Sequence, residues 1–342
     1  MNGSSTHMNA ESRETPDVLR RQQKALELPI AELVAILRRK SPRLVITCAR
    51  GSSAHAATYG KHLIERYLGI PVSAAAPNIV SIYQGRLTVR DQLFLAISQA
   101  GRSADIIETA AMARAAGAIT VAIVNDTASP LAQACEIVLS LEAGPELSVA
   151  ASKSFVASLA VLLRLTVAWT EDDAMQLGLD RLPERLASAT ELDWSATLPS
   201  LSIAPSAITI GRGPTLAIAR EAALKLKEAC NLHAEAFSSA EFLHGPIALV
   251  ENAYPILILA PGDEAAEGIE SLRTDLTRKG ASVFSTERLF GPAFLPTLES
   301  DQPDADAICL IQSFYQLLPV IAEQRGGNVD NPRHLQKVTR TR

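Results

Sequence analysis

Two groups of residues in this chain have the types and spacing to do chemistry. The first is Ser98-Gln99-Ala100-Gly101-Arg102-Ser103, set between the apolar run Leu93–Ile97 and an alanine-rich helical pattern through Ile106, Ile107 and Ala110. The first turn of a helix presents unpaired N–H groups and a partial positive charge, so small hydroxyls, an amide and a glycine there complete a cup for an anion, of which phosphate is the obvious guest. Ser103 would equally serve as an ordinary helix cap. Gly51-Ser52-Ser53 places similar residues after Leu44-Val45-Ile46-Thr47, and Ser148-Val149-Ala150-Ala151-Ser152-Lys153-Ser154 opens a further helical pattern. The second group is Glu221, Lys225 and Glu228, whose spacing of four and three puts them on one helical face. That face is either a solvated ladder of ion pairs or an acid–base array. The continuation from Cys230 to Pro246 holds His233, Glu235, Glu241 and His244, groups that titrate or donate near neutrality.

The elements that must position these groups are short aliphatic runs separated by alanine-rich helical stretches, the alternation of βαβ units and a parallel sheet covered on both faces. The order repeats. Leu44–Thr47 with Gly51-Ser52-Ser53 is matched by Ile208-Thr209-Ile210 with Gly211-Arg212-Gly213-Pro214-Thr215. Leu93–Ile97 is matched by Pro255–Ala260, and Ala118–Val124 by Ala281–Ser285; Ile137-Val138-Leu139 would pair with Ala307-Ile308-Cys309-Leu310. The expected fold class is α/β, with two units that are each a doubly wound, mostly parallel five-stranded sheet flanked by helices. We place the first unit at residues 25–172 and the second at 190–325, with a linker over 173–189 and a tail over 326–342. Residues 1–24 read as a tag remnant and N-terminal segment, with Met1 to Met8 outside the fold. Ligands of such sheets bind beyond the carboxyl ends of the strands, where strand order reverses. There the second copy has Ala260-Pro261-Gly262-Asp263-Glu264, whose carboxylates repel an anion, so the phosphate cup belongs to the first copy.

Composition excludes several classes. A formal charge of −5 with 4% aromatic residues leaves no basic, ring-bearing face for nucleic acid. No apolar run approaches the roughly 20 residues of a membrane span. The four cysteines, Cys48, Cys135, Cys230 and Cys309, lie far apart, with neither metal-ligand spacing nor a disulfide framework. Reduced, buried thiols in a cytoplasmic protein are expected, with no metal and no cofactor.

Taken in order, the stretches carry a resemblance. Gly51-Ser52-Ser53, Ser98–Ser103, Glu146-Leu147-Ser148-Val149-Ala150, Ala223-Leu224-Lys225-Leu226-Lys227-Glu228, His233-Ala234-Glu235-Ala236, His244-Gly245-Pro246 and Asp330-Asn331-Pro332-Arg333-His334-Leu335-Gln336-Lys337 follow the pattern of tandem SIS (sugar isomerase) proteins. The chain resembles the isomerase half of glucosamine-6-phosphate synthase and, most closely, the stand-alone SIS-type glucosamine-6-phosphate deaminases. The resemblance implies two flavodoxin-like SIS domains and an aminosugar-phosphate site. In it Ser53, Ser98, Gln99 and Ser103 would hold the phosphate, with Gly51, Ser52 and Gly101 in the same loops, while Val149 and Ser152 would line the sugar. Glu228 would shuttle the proton between C1 and C2, with Lys225 and Glu221 beside it. His244 would assist ring opening from the neighbouring subunit of a homodimer. Lys337 corresponds to a lysine that forms an imine with a keto-sugar; on the residues alone it is one charge in a basic tail with Arg333, Arg340 and Arg342.

Two departures shape the expected reaction. Glucosamine-6-phosphate synthase carries an amino-terminal glutaminase with a terminal cysteine, and residues 1–24 here contain no cysteine. The expectation is therefore that glutamine is not the nitrogen source and that the reaction runs toward fructose-6-phosphate and ammonia, as in the deaminases, whose tails Lys337-Val338-Thr339-Arg340-Thr341 also resembles. Ala100 stands where the synthase pattern has a phosphate-binding serine, a loss on the order of 1.5–3 kcal/mol of affinity unless Arg102 or Lys153 compensates. The alternatives are a fructosamine-phosphate deglycase, a galactosamine-6-phosphate deaminase or isomerase, and a non-catalytic sugar-phosphate sensor.

Overall fold

The computed structural model describes residues 6–337. Among them, β1 (Val45–Cys48), β2 (Val72–Ala74), β3 (Leu93–Ser98), β4 (Ile119–Val124) and β5 (Ile137–Ser140) form one sheet in the order β2-β1-β3-β4-β5. A second sheet holds β6 (Ser206–Gly211), β7 (His233–Ser238), β8 (Pro255–Leu259) and β9 (Ser282–Ser285) in the order β7-β6-β8-β9. Every named pair is parallel. The second order is the first without its fifth strand.

The chain folds as two compact units. One, built on the five-stranded sheet, comprises Asp17–Glu146 and Lys153–Asp180 with Gln336 and Lys337. The other, built on the four-stranded sheet, comprises the described residues up to Pro16, Leu147–Ser152 and Arg181–Leu335. In both, the central strands are buried along their whole length, as β4 and β8 show, because helices cover both faces of a parallel sheet. Ile46, Phe94, Ala122 and Val124 pack against Ile106, Ala110 and Leu131 in the first unit. Ile208, Ile256, Ile258 and Val283 pack against Ile269, Leu272 and Leu276 in the second. The helix Lys153–Thr170 is long and apolar enough to cross a bilayer by composition, yet 78% of it is buried within the protein. It packs on the helix Gly51–Leu68, where Gly60 lies against Leu162.

Two expectations are corrected. Ala307–Leu310 is not a strand, and the second sheet has four strands rather than five among the described residues. Those residues lie in the helix Pro303–Tyr315, started by Pro303 in its first turn and by Gln302, whose side chain accepts the N–H of Ala305 at 2.7 Å. Because Ala307, Ile308, Cys309, Leu310 and Ile311 are all buried, the run shows no polar face to betray its helical period. Nor does Met8 lie outside the fold: it is fully buried, and His7–Arg13 is a helix whose first N–H groups, those of His7 and Met8, donate to the Asp330 carboxylate at 2.7 and 2.8 Å.

All four cysteines are buried free thiols. Burial, which disfavours the thiolate, pushes each of them from the ordinary 9.0 up to about 12. A raised folded-state value means that the stabilisation is complete below pH 9 and is lost as pH rises toward 12. We therefore expect no reaction of the native protein with a thiol reagent such as dithiobis(nitrobenzoate) at pH 8, full reaction of all four in denaturant, and a fall in stability above about pH 9 seen in urea titrations.

Candidate active site

In the five-stranded unit, parallel pairing sets Thr47 opposite Leu95 and Cys48 opposite Ala96, so the turns after β1 and β3 emerge side by side. This is where strand order reverses, the crevice in which open α/β sheets bind ligands. Gly51 opens the helix Gly51–Leu68 at φ 53°, and Ser52 and Ser53 occupy its first turn, half-buried. On the other side Ser98 ends β3 and accepts the N–H of Gly101 at 3.1 Å. Gly101 has φ 63°, and a Cβ there would stand 2.2 Å from Ser129 Oγ, so no larger residue fits. Ser103 takes the N-cap position of the helix Ala104–Ala115, but its hydroxyl makes no capping bond. Ser103 thus stands at the cap position without its side chain doing the capping. Arg50 ties the two helix starts together, pairing with the buried Asp105 in the first turn of Ala104–Ala115. Arg102, one of the two residues expected to offset Ala100, pairs with Asp126 at 3.0 Å; Lys153, the other, is buried at the start of its helix.

In the four-stranded unit, Glu221, Lys225 and Glu228 lie on the helix Thr215–Cys230. The solvated-ladder reading does not hold, because the side chains of Glu221 and Lys225 are 0% and 1% exposed, against 25% for Glu228. Lys225 Nζ lies 3.4 Å from Glu221 Oε1 and donates to Glu228 Oε2 at 2.5 Å. The hydroxyl of Tyr315 donates to Glu221 Oε1 at 3.5 Å. Burial works against a charged Lys225, but the two carboxylates together outweigh it and hold the ammonium above the ordinary value of 10.5. Lys225 therefore stays charged throughout the neutral range, and the stability its charge contributes is lost only above pH 10.5. Chemically it is a solvent-reaching carboxylate whose position is fixed by a buried cation.

His244 is exposed in the turn after the short helix Ser239–Phe242, and it is not brought to Glu228. Glu228 stands near the end of its helix, two residues before Cys230, close to where β7 begins; His244 follows the far end of β7. The six residues of that strand put roughly 17 Å between the two edges of the sheet. Glu228 is thus at the amino edge of its sheet, contrary to the expectation that chemistry sits only in the turns after strands. At the carboxyl edge of the same sheet a crevice of about 440 Å³ is lined by Thr215 and Ala260, by the acidic Asp263, Glu270, Glu287 and Asp306, and by Arg185 and Arg288.

Lys337 belongs to the five-stranded unit and is no loose tail charge. Its Nζ lies 3.0 Å from Glu146 Oε2, and the fully buried Glu146 side chain also accepts Ser154 N–H at 3.0 Å and Ser154 Oγ–H at 2.8 Å. The sequence reading missed Glu146 as a site residue although it opens one of the quoted stretches. Val149 and Ser152 belong to Leu147–Ser152, in the four-stranded unit. Val338, Thr339, Arg340 and Thr341 lie outside the described residues. Among the described residues, no three or more His, Cys, Asp or Glu side chains are grouped to hold a metal ion.

A model of the SIS domain family matches residues 37–168 and 200–285. The chain belongs to the SIS domain family. A Silicibacter pomeroyi DSS-3 protein named as a phosphosugar isomerase is 41% identical, with a TM-score of 0.90 over 95% of this chain and 100% of that one. The glutamine–fructose-6-phosphate aminotransferase (isomerizing) of Chlorobaculum tepidum is 30% identical over 323 residues, which are 88% of this chain and 51% of the relative. This SIS protein thus spans about half the length of the curated relatives it matches, and is homologous to their isomerase half. A glucosamine-6-phosphate deaminase from Thermotoga maritima shares the fold, with a TM-score of 0.74 at 20% identity over 98% of this chain and all of that one.

Removing one partner of the buried array leaves an uncompensated charge, so Glu221→Gln should lower the unfolding free energy by about 3–5 kcal/mol. Glu228→Gln, at the solvent-reaching end, should cost less than half of that. Urea unfolding of the two variants at pH 7 checks the ranking; equal losses would show that burial does not distinguish them.

Proposed function

We propose that this SIS protein is an aminosugar-phosphate deaminase that converts glucosamine-6-phosphate and water to fructose-6-phosphate and ammonia. The observation that carries the reading is Glu228, a carboxylate that reaches solvent while its inner neighbour Lys225 is held charged and buried. An aldose–ketose proton transfer needs one base that takes the proton from C2 and returns it at C1, without itself being free to swing. The phosphate would sit on the hydroxyls of Ser53, Ser98 and Ser103 and the neighbouring backbone of Gly51, Ser52, Gln99 and Gly101, and Val149 and Ser152 would face the sugar. Ring opening, assisted by His244, would give the C1 aldehyde; the proton transfer would then turn the C2 amine into a C2 imine, which water would hydrolyse to the ketone and ammonia, with mass action at low ammonium favouring release of nitrogen. Lys337 would take part at the keto carbon. We read the two sheets as tandem copies of one flavodoxin-like SIS unit. The buried, reduced thiols suit the cytoplasm.

The purified protein should release ammonium and fructose-6-phosphate in equal amounts from glucosamine-6-phosphate, and Glu228→Gln should reduce turnover by about 100-fold or more. Interconversion of an aldose and a ketose phosphate with no ammonium would instead support a plain phosphosugar isomerase, the reading favoured by the 41% identical relative. Turnover confined to a fructosamine or galactosamine phosphate would move the assignment to those substrates. Ligand-induced thermal stabilisation without any turnover would support a sensor.

We further propose that His244 serves the neighbouring subunit of a homodimer, since its own Glu228 lies at the opposite edge of the same sheet. Mixed dimers of Glu228→Gln and His244→Ala chains then contain one intact site each. Statistical mixing of the two inactive proteins should restore about a quarter of the unmutated activity, measured by ammonium release. No recovery on mixing would place His244 in the same subunit's site or outside it.

A further inference from the structure

We propose that the N-terminal helix His7–Arg13 is a positioning element for the segment Leu147–Ser152, and that Glu11 is the residue through which it acts; the functional part of this inference rests on the sugar-facing role proposed for Val149 and Ser152. The segment runs without regular secondary structure between β5 and the helix Lys153–Thr170. Its backbone N–H groups therefore have no ladder to join and must find partners elsewhere.

Those partners come from the two ends of the chain. Glu11, 4% exposed, receives the N–H of Leu147 and lies 3.4 and 3.3 Å from the N–H of Ser148 with its two carboxylate oxygens. Val149 N–H donates to the backbone carbonyl of Asp330 at 3.1 Å. Asp330 in turn holds the helix, since its carboxylate receives His7 and Met8 N–H. Three consecutive amides are thus fixed by two residues, one of which, Asp330, also holds the start of the helix that carries the other.

The helix itself is anchored rather than loosely laid. Met8 is fully buried, and Gln312 donates to the carbonyl of Ser12 at 2.6 Å. Gln316 donates to Ser12 Oγ at 3.1 Å, and Asn9 donates to Gln316 at 3.3 Å. A carboxylate accepting backbone N–H groups is a charge-assisted contact, shorter and stronger than a neutral one. Burying it carries a desolvation cost that an apolar contact would avoid, so what it adds is a defined position for the amides it grips. Displacing them would move Val149 and Ser152 while leaving Glu228, on another element, in place. The effect belongs on substrate binding rather than on the proton-transfer step.

Amide hydrogen exchange read by mass spectrometry tests the brace on the full chain, with Glu11→Gln, Glu11→Ala and Arg13→Ala. Arg13 lies on the same helix and pairs with the exposed Glu191 at 2.7 Å, away from the braced amides, so it serves as the control. Glu11→Ala should raise exchange at Leu147, Ser148 and Val149 by about tenfold or more, with Glu11→Gln intermediate and Arg13→Ala unchanged. KM for glucosamine-6-phosphate should rise about tenfold in Glu11→Ala with kcat within about twofold. Unchanged exchange at these three amides would overturn the proposal, as would a loss of protection spread over the whole four-stranded unit, which marks a purely structural role. A fall in kcat with KM unchanged would also overturn it. If Glu11→Ala does not fold, the Glu11→Gln measurements decide. Absence of turnover in the unmutated chain would count against the proposed function alone, because the exchange measurement judges the brace without it.

Discussion

The parallel pairing of β1 with β3 is the constraint on which the candidate site depends. Strands buried on both faces have their backbone groups used by neighbours and their side chains used by the core, so polar chemistry has room only at the sheet's edges. Because a parallel pair runs in one direction, the turns after β1 and β3 leave the same edge, abreast and in fixed register. Each then enters a helix, and two sets of unpaired N–H groups converge on one place. Gly51 and Gly101 allow the chain to turn there, the first by its positive φ alone and the second by its lack of a Cβ against Ser129 as well. The turns that carry Ser53 and Ser98 leave the same edge through this arrangement and not through sequence proximity.

The second unit uses its helix differently. A lysine sunk between two carboxylates is a poor source of stability, since desolvation consumes most of the attraction, and a well-packed apolar triad would serve as well or better. What the charged array offers is a fixed orientation for Glu228, the member that reaches solvent. Position along the helix matters equally. An edge reached from the helix C-terminus lies a full strand length from the edge that carries His244, and a single sheet cannot fold those residues together.

Residues near both ends of the described chain hold distant segments in place. Glu146 and Lys337 bond across 191 positions of sequence, and Glu11 bonds to Leu147 and Ser148 across more than 130. Segments without regular structure satisfy their amides by borrowing acceptors from distant chain. The relatives fit this picture at the level of the SIS fold, shared over nearly the whole chain at identities from 41% down to 20%.

Much of the fold was legible in the residues themselves. Runs such as Leu93–Ile97 and Ile119–Val124, bounded by glycine- and serine-bearing turns, announce buried parallel strands because full burial removes polar residues from them. The spacing of Glu221, Lys225 and Glu228 settled that they share a helical face, and the Ser-rich turns are those that leave the sheet after β1 and β3. The sequence could not separate helix from strand at Ala307–Leu310, where burial on all sides erases the period that distinguishes them. Whether the Glu–Lys–Glu face was wet or dry, whether Met8 was core or appendage, and which carboxylate received Lys337 were decided by tertiary structure alone. Burial and long-range pairing depend on what other elements bring to a residue, and no local pattern in one segment encodes the packing of another.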